Sequence, residues 1–476
     1  MNENKRLIKN TGIIAIGNIS TKLISFFLLP LYTALLSTSE YGTFDYILSI
    51  SIFCVPFVSV LMDESIFRFL IDCNTEEEKK RVITTATCVV FCGMLLFTII
   101  GIPVMNLLHY QYTYYAVVYI LLNVICGMIS ALLRGIGRTD QYALFNFLLG
   151  FVQVILNVVL IAGFKLGLIG MLIASISSQC IVSLIFTFKI KIWKYITFQD
   201  VSWSKAKEMI VYSLPLIPNK VSWTIINLSD RIILMNVLGS DAAGLYAVSY
   251  KFPNLMDTVY GFFYQSWKES SARVLNGENQ DDFYNSVYEN LKNFMFSLVI
   301  GMTAFMPLVF FILINKNYYA AIQYIPVLLL ATYFSNMSGF YGGIFTAYKD
   351  TKIMGTTTVA AAIINLSVNL LMIRKFGIYA AAVSTLVANF VVYVYRKIKV
   401  RKYIRLKENW KKSTFAVLFT VVEFVFFYTM NKMLWMAGCV LAVFYAFFLN
   451  RSMMFFVVKK MKTKILGAKN GNRKTK

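Results

Sequence analysis

Long apolar runs separated by short polar connections recur along the whole chain. Because about 20 consecutive apolar residues cross a bilayer as a helix, this pattern predicts fourteen membrane helices. We expect them near residues 12–35, 45–67, 82–105, 114–133, 141–163, 167–188, 209–236, 242–267, 291–314, 320–346, 353–373, 377–396, 414–431 and 433–457. The first run follows a basic N-terminus and is longer than a signal-peptide core, so we predict that it is retained as a span.

Composition leads to the same class of protein. Of the 476 residues 58% are hydrophobic and only 14% are charged, and the mean hydropathy is +0.64. A water-soluble fold of this composition would have too little polar surface to cover its core. The sequence therefore predicts an all-α polytopic membrane protein.

The sequence contains no pattern typical of soluble-type catalysis. The seven cysteines are scattered, and His109 is the only histidine, in the aromatic loop LLHYQYTYY that suits a membrane interface. No nucleophile-elbow, phosphate-loop or zinc-ligand motif occurs. We therefore expect a protein that is not an enzyme and holds no bound cofactor.

Basic residues are distributed unevenly between the predicted connections. The odd-numbered connections hold few of the 46 Lys and Arg residues, whereas the even-numbered ones and both ends hold most of them. The positive-inside rule then places both termini in the cytoplasm. The net charge of +23 lies on the side where anionic headgroups attract it, so we predict membrane lipids and not nucleic acid as its partner.

An internal repeat relates the two halves of the chain. The stretch LSTSEYGTFDYILSI (36–50) aligns with LGSDAAGLYAVSYKF (238–252), which places Gly42 over Gly244. Further on, NVVLIAGFKLGLIGMLIAS (157–175) aligns with NLLMIRKFGIYAAAVST (369–385) if a two-residue gap is allowed.

The order of these matches predicts two six-helix lobes related by a two-fold axis along the membrane normal, with a substrate site between them. The predicted domains are an N-terminal lobe over residues 1–200, a C-terminal lobe over 201–400, and two appended helices with a basic cytoplasmic tail over 401–476.

Three stretches carry a family resemblance: GNISTKLISFFLLPLYTALLSTSEYGTFD (17–45), LLRGIGRTDQYALFNFLLGFVQVILNVVL (132–160) and SLPLIPNKVSWTIINLSDRIILMNVLGSDAAGLYAVSYKFPNLM (213–256). They resemble the polysaccharide transporters of the multidrug/oligosaccharidyl-lipid/polysaccharide (MOP) exporter superfamily, the Wzx-type O-antigen and capsule flippases. The resemblance covers about residues 1–400 and implies a two-lobed exporter with a central cavity.

In such an exporter undecaprenyl-diphosphate-linked oligosaccharide moves across the bacterial cytoplasmic membrane by alternating access. Its partners would be this lipid-linked glycan, membrane lipids and, as further candidates, the polysaccharide polymerase and other assembly proteins. The motifs do not identify the glycan.

Four cations lie inside the predicted spans. At 1.5 Å rise per residue, Lys22, Lys220 and Lys251 are near mid-depth, and Arg231 is closer to the outer end of the seventh helix. The first, second, seventh and eighth helices face the cavity in the proteins that this chain resembles, so these cations are predicted to line it and to neutralise a diphosphate.

The alternative is internal pairing that only holds helices together. In that case Arg231 would pair with Asp45 or Asp230, and Lys251 with Asp257.

Acidic and gating candidates complete the predicted site. They are Asp45, Asp63, Glu64, Arg68, Asp230 and Asp257. The cytoplasmic end of the second predicted helix carries Asp63, Glu64 and Arg68. These three residues could form an inner gate or an ion-coupling site, or they could only pair with one another. The sequence also leaves open whether transport is coupled to H⁺ or to Na⁺.

Three other functions are alternatives. A cation-coupled drug exporter of the same superfamily would favour an acidic cavity, whereas the candidates here are mostly basic. A lipid-linked peptidoglycan precursor flippase differs only in its cargo. A membrane glycosyltransferase or polymerase should have a long outer loop, and every predicted outward connection is short.

Overall fold

The computed structural model describes residues 28–108, 110–275, 280–348, 350 and 352–471. Within these ranges the chain forms helices and no strand, which confirms the all-α prediction. Lys22, most of the first predicted span and His109 lie outside the described residues.

Sixteen α-helices follow one another in the described part of the chain. They are α1 Leu29–Leu35, α2 Thr38–Val58, α3 Met62–Asp72, α4 Glu76–Leu107, α5 Thr113–Gly135, α6 Thr139–Asn157, α7 Gly167–Ile190, α8 Trp203–Ser213, α9 Leu216–Leu238, α10 Ser240–Arg273, α11 Gln280–Leu313, α12 Ile325–Ala347, α13 Lys352–Phe376, α14 Ile378–Val400, α15 Trp410–Tyr428 and α16 Lys432–Gly471. A π-helical segment, Val158–Gly163, continues α6, and a 3₁₀ segment, Lys316–Tyr324, precedes α12.

Ten segments among the described residues are long and apolar enough to cross a membrane, which makes the chain a multi-pass membrane protein. They belong to α2, α4, α5, α6, α7, α11, α12, α13, α14 and α16. The predicted seventh, eighth and thirteenth spans form helices of sufficient length, α9, α10 and α15. These three carry charged residues and are not among the ten segments, and the count of fourteen stays a prediction.

Two predicted spans are broken into shorter helices. The span 45–67 ends at Val58 and resumes at Met62, with Val60 and Leu61 in the left-handed region at φ 52° and 49°. The Ser59 hydroxyl accepts a hydrogen bond from the Leu61 amide at 3.2 Å and stabilises the turn. The span 209–236 is interrupted at Pro215, which separates α8 from α9.

The chain divides into two compact units, each with its own core. Unit 1 contains residues 1–251, 313–320 and 362–381, and unit 2 contains residues 252–312, 321–361 and 382–476. The predicted lobe boundaries near residues 200 and 400 follow the sequence repeat and stay a prediction.

Within unit 1, α3, α4, α5 and α7 enclose an apolar core. Ile66 and Phe186 are fully buried there, and the Phe186 ring meets Phe145 of α6 edge to face at 5.1 Å. Within unit 2, the indole of Trp267 stacks on Phe340 at 4.4 Å and donates a hydrogen bond to its carbonyl oxygen. Close packing of aromatic rings and a hydrogen-bonded indole N–H are both typical of a packed helical core.

Matched glycines bring α2 and α10 together inside unit 1. A Cβ added to Gly42 would overlap the carbonyl oxygen of Ser240, and one added to Gly244 would overlap that of Thr38. In the alignment Thr38 is the counterpart of Ser240, so the contact is reciprocal. A reciprocal contact between equivalent residues is what a two-fold relation produces.

Side chains at the starts of α2 and α10 form a second pair of reciprocal contacts. The Thr38 hydroxyl donates to the Asp241 carboxylate, and the Oγ atoms of Ser39 and Ser240 are 2.6 Å apart. The second alignment agrees, because Gly167 and Gly377 fall opposite each other and are both left-handed, at φ 54° and 56°. The predicted repeat is therefore visible in contacts and in backbone conformation.

Candidate functional site

A cluster of three charges lies inside unit 1, on α2, α9 and α10. The Arg231 Nε is 2.9 Å from the Asp45 Oδ2, and its guanidinium lies 5.0 Å from the ring centroid of Tyr250. Arg231 Nε has no hydrogen-bond partner, so the contact with Asp45 is an ion pair by distance alone. Lys251 interacts electrostatically with both Asp45 and Arg231.

Local structure fixes Asp45 in this place. A capping box at the start of α2, in which Ser37 and Glu40 satisfy each other's backbone amides, sets where the helix begins. The Glu40 carboxylate also accepts a hydrogen bond from the Leu168 amide of α7 at 3.0 Å. Asp45, further along α2, is only 7% exposed and depends on the neighbouring cations for compensation.

A cavity of about 380 Å³ opens beside this cluster, within unit 1. Among its described lining residues, Asp45 and Lys251 carry charge. Its other polar walls come from Tyr32, Tyr41, Tyr119, Asn146 and Gln153. With one carboxylate against two cations, the cluster has an excess positive charge that can attract an anion.

A second polar network surrounds Asp230, which is 2% exposed. Its Oδ1 accepts a hydrogen bond from the Asn369 Nδ2 at 2.6 Å, and its Oδ2 accepts one from the Tyr246 hydroxyl at 2.8 Å. The Asn369 Oδ1 is buried and has no hydrogen-bond partner. Asp230 and Arg231 serve different networks, as expected for adjacent positions about 100° apart on a helix.

The first half has a counterpart of Asn369. In the alignment Asn157 takes its place, donating a hydrogen bond through Nδ2 to the Tyr32 hydroxyl at 2.9 Å, and its Oδ1 is again buried without a partner. Neither asparagine was predicted from the sequence. The available signal was an asparagine at the same position of two otherwise apolar, aligned helices.

The other predicted site residues are dispersed. Lys220 is exposed on the first turns of α9, and Glu64 is exposed on α3. Arg68 forms an exposed ion pair with Asp72 at 2.6 Å. Asp63 is half-buried, with one carboxylate oxygen lacking a hydrogen-bond partner.

The structure thus brings Asp45, Arg231 and Lys251 together. It places Asp257 in unit 2, half-buried. The roles of all these residues stay predictions. No group of three or more His, Cys, Asp or Glu side chains suited to a metal ion occurs among the described residues.

The sequence profile of a family described as polysaccharide biosynthesis protein matches residues 7–267. The chain belongs to this family. The match covers more than half of the 476 residues and includes Asp45, Asp230, Arg231 and Lys251. Membership in the polysaccharide biosynthesis family confirms the resemblance to polysaccharide transporters of the MOP superfamily.

A curated relative and two solved structures are similar to this chain. An uncharacterized membrane protein of Methanocaldococcus jannaschii, MJ1068, is 25% identical over 253 residues, which are 49% of this chain and 50% of the relative. The chain thus spans about half the length of the curated relative it matches.

The lipid II flippase MurJ in an inward closed conformation superposes with a TM-score of 0.70 at 14% identity, covering 94% of this chain and 100% of the other. A multidrug resistance MATE family transporter of the MOP superfamily, in an inward-facing conformation, gives 0.67 at 13% identity, covering 82% and 98%. At these identities the two structures establish the fold, which is that of the MOP superfamily.

Proposed function

We propose that the protein is a flippase that exports an undecaprenyl-diphosphate-linked oligosaccharide across the bacterial cytoplasmic membrane by alternating access. The observation that carries the proposal is the excess of positive charge beside the cavity of unit 1, in a chain of the polysaccharide biosynthesis family. A diphosphate entering a low-dielectric site needs cationic donors to replace its water. Lys251, which lines the cavity, supplies such a donor.

Lys251 and Arg231 have different roles in this proposal. Arg231 is held against Asp45 and against the face of Tyr250, so it mainly fixes the cluster. Lys251 has a flexible stem and three donors, and it contacts the phosphate oxygens as a point charge. The protein performs no bond chemistry, and the energy for transport comes from an ion gradient.

The Asp230 network is the proposed place of ion coupling. The Asp230 carboxylate and the Asn369 Oδ1 are oxygen atoms of the kind that a proton or Na⁺ binds, and the Asn369 oxygen has no hydrogen-bond partner. Cation binding there would alter the Asn369 and Tyr246 hydrogen bonds that connect α13 and α10 to α9. Asp230→Asn should therefore abolish the dependence of export on the gradient, and comparing Na⁺-free with Na⁺-containing medium identifies the ion.

The main experiment measures surface glycan per unit of membrane-inserted protein. Lys251→Gln should lower this ratio at least tenfold, because it removes the cation that faces the cavity, whereas Lys251→Arg should keep part of the activity. Lys207→Gln, on the exposed surface of α8, is the matched control and should behave as wild type. A wild-type ratio for Lys251→Gln would overturn the proposed site.

Cargo identity is tested by complementation in strains that lack individual flippases. Return of a surface polysaccharide supports the proposal. Rescue of a strain lacking its peptidoglycan precursor flippase, without return of any other glycan, would show that the lipid-linked peptidoglycan precursor is the cargo. Drug resistance as the only effect would indicate a drug exporter.

The structural role of Arg231 is tested by a pair of variants. Arg231→Gln leaves the buried Asp45 carboxylate without its nearest cation, which costs about 3–5 kcal/mol, so the amount of inserted protein should fall. Adding Asp45→Asn should restore that amount. Equal protein levels in the single and double variants would contradict the pairing.

A further inference from the structure

An apolar groove lies in unit 1, away from the charged cavity. It has a volume of about 360 Å³ and is formed by α3, α4, α5, the end of α7 and the segment that follows α7. Its walls include Phe91 of α4, Met128 of α5 and Ile192. Phe91 is 59% exposed, so the groove opens at the surface that α4 presents to the bilayer.

A basic segment borders one end of this groove. Ile192 and Ile196 line the groove, and the exposed Lys191 and Lys194 stand beside them in sequence. Neither lysine forms an ion pair with any residue that the structure describes. Trp193, 51% exposed, lies between them, as is typical of residues at a membrane interface.

Hydrogen bonds hold this basic segment against the groove. The Thr84 hydroxyl of α4 donates to the Tyr195 carbonyl at 2.8 Å and accepts from the Thr197 amide at 3.2 Å. The segment is therefore fixed to the same helix that forms the groove wall. The uneven distribution of Lys and Arg predicts that this basic segment lies on the cytoplasmic side of the membrane, where anionic headgroups are found.

The second half of the chain shows what covers the equivalent position. In the repeat α4, α5 and α7 correspond to α11, α12 and α14, and these three helices line a cavity of about 380 Å³ in unit 2. There the remaining wall is formed by Glu408 and by the first part of the appended helix α15, including Trp410, Val417 and Leu418. In the first half the helix that follows α7 is α8, which does not line the groove, and no described residue outside the elements named above lines it.

We infer that the groove of unit 1 binds one acyl chain of an anionic phospholipid, whose headgroup phosphate lies on Lys191 and Lys194. The volume exceeds twice that of an engineered apolar cavity of ~150 Å³ that binds benzene, so it accepts a substantial length of hydrocarbon. The acyl chain covers the groove on the side where α15 covers the equivalent cavity in the second half. The two lysines select for negative charge in the headgroup.

The test uses the full chain, purified in mild detergent and stripped of lipid. Phosphatidylglycerol or phosphatidylcholine with identical acyl chains is then added, and bound lipid is counted by native mass spectrometry. Phosphatidylglycerol should bind more tightly to the wild type. The double variant Lys191→Gln with Lys194→Gln should weaken that binding about tenfold and remove the preference.

Lys399→Gln with Lys402→Gln is the matched control. It removes the same charge from exposed positions at the end of α14 and just after it, where α15 forms a wall of the adjacent cavity, and it should leave lipid binding unchanged. Met128→Trp should fill the groove and lower the binding of both lipids. The lysine variants change only exposed side chains, so they remain informative even if Met128→Trp does not fold.

Three results would overturn the inference. They are equal binding of the two phospholipids to the wild type, unchanged phosphatidylglycerol binding in the Lys191/Lys194 variant, and displacement of phosphatidylglycerol by a polyprenyl phosphate at equal concentration. The last result would assign the groove to a polyprenyl chain.

Discussion

At the scale of single residues, Gly42 is constrained by a backbone atom and not by a side chain. In Gly42→Ala the new methyl group would overlap the Ser240 carbonyl oxygen, which cannot rotate away. Separating α2 from α10 to make room should cost about 1–3 kcal/mol. The expected result is a lower unfolding temperature of the purified protein in detergent.

Gly127→Ala is the matched control for this prediction. Gly127 also lies within a helix, α5, but an added Cβ meets no atom within 4 Å. Alanine should therefore stabilise the protein by about 0.5–1 kcal/mol through its helix propensity. If both variants unfold at the same temperature, the close approach of α2 and α10 does not require a glycine at position 42.

The charged residues show the limit of sequence reasoning at this scale. Hydropathy was sufficient to single out Arg231, Lys251 and Asp230 as ionisable residues inside spans. It offered Arg231 two partners, Asp45 and Asp230, and could not choose between them, because the choice depends on how α9 is rotated against α2. The Asn369 carboxamide was missed because asparagine carries no charge, and only ionisable residues inside spans were singled out.

At the scale of elements, the break between α2 and α3 could not be predicted from the apolar pattern. The residues from Val58 to Met62 continue an apolar run, and Val60 is a poor residue for the left-handed region. The break becomes understandable only in the packed structure, where the Val58 carbonyl oxygen lies against Gly93 of α4. The helices themselves were predictable because their apolar runs are long.

The connection between α14 and α15 gives a prediction about pH. Burial alone would raise the pKa of the Glu408 carboxyl, but its hydrogen bond with Lys397 and the charge of Lys292 lower that pKa overall. Glu408 therefore stabilises the fold fully above the ordinary glutamate pKa of about 4.3, and this contribution is lost as the pH falls through the lowered value.

Glu408→Gln should accordingly lower the unfolding temperature at pH 7 and reduce the difference between pH 7 and pH 3. The reason is that Lys292, only 2% exposed, then keeps Glu289, at 3.1 Å, as its one carboxylate partner among the described residues. The control is Glu77→Gln, at an exposed position of α4. An unchanged pH profile in Glu408→Gln would show that the ion cluster does not hold this connection.

At the scale of the whole molecule, the sequence predicts an orientation that reporter chemistry can test. With the seven native cysteines replaced, Lys316→Cys should react with a membrane-impermeant maleimide on intact cells, because the connection before α12 is predicted to face outward. Lys402→Cys should react only after the cells are opened. The opposite labelling pattern would place both termini outside.

The all-helical, multi-pass architecture and the internal repeat were predictable at this scale because they rest on apolar length and on a matched order of motifs. The number of spans was harder to predict, since α9, α10 and α15 carry charged residues within their apolar sequences. The division into compact units follows contacts between distant segments, such as residues 313–320 and 362–381 with residues 1–251. Linear patterns carry no information about such contacts.

The contact between Ser39 and Ser240 marks a place where α2 and α10 can be crosslinked reversibly. Their hydroxyl oxygens are 2.6 Å apart, so cysteines at both positions should come within reach of a disulfide bond. If cargo can leave only when the first turns of α2 and α10 part, oxidation should halt glycan export and a reductant should restore it. Export that continues in the oxidised protein would show that cargo passes without parting these turns. The point where the two repeats touch is thus one at which a redox reagent can stop and restart the transporter.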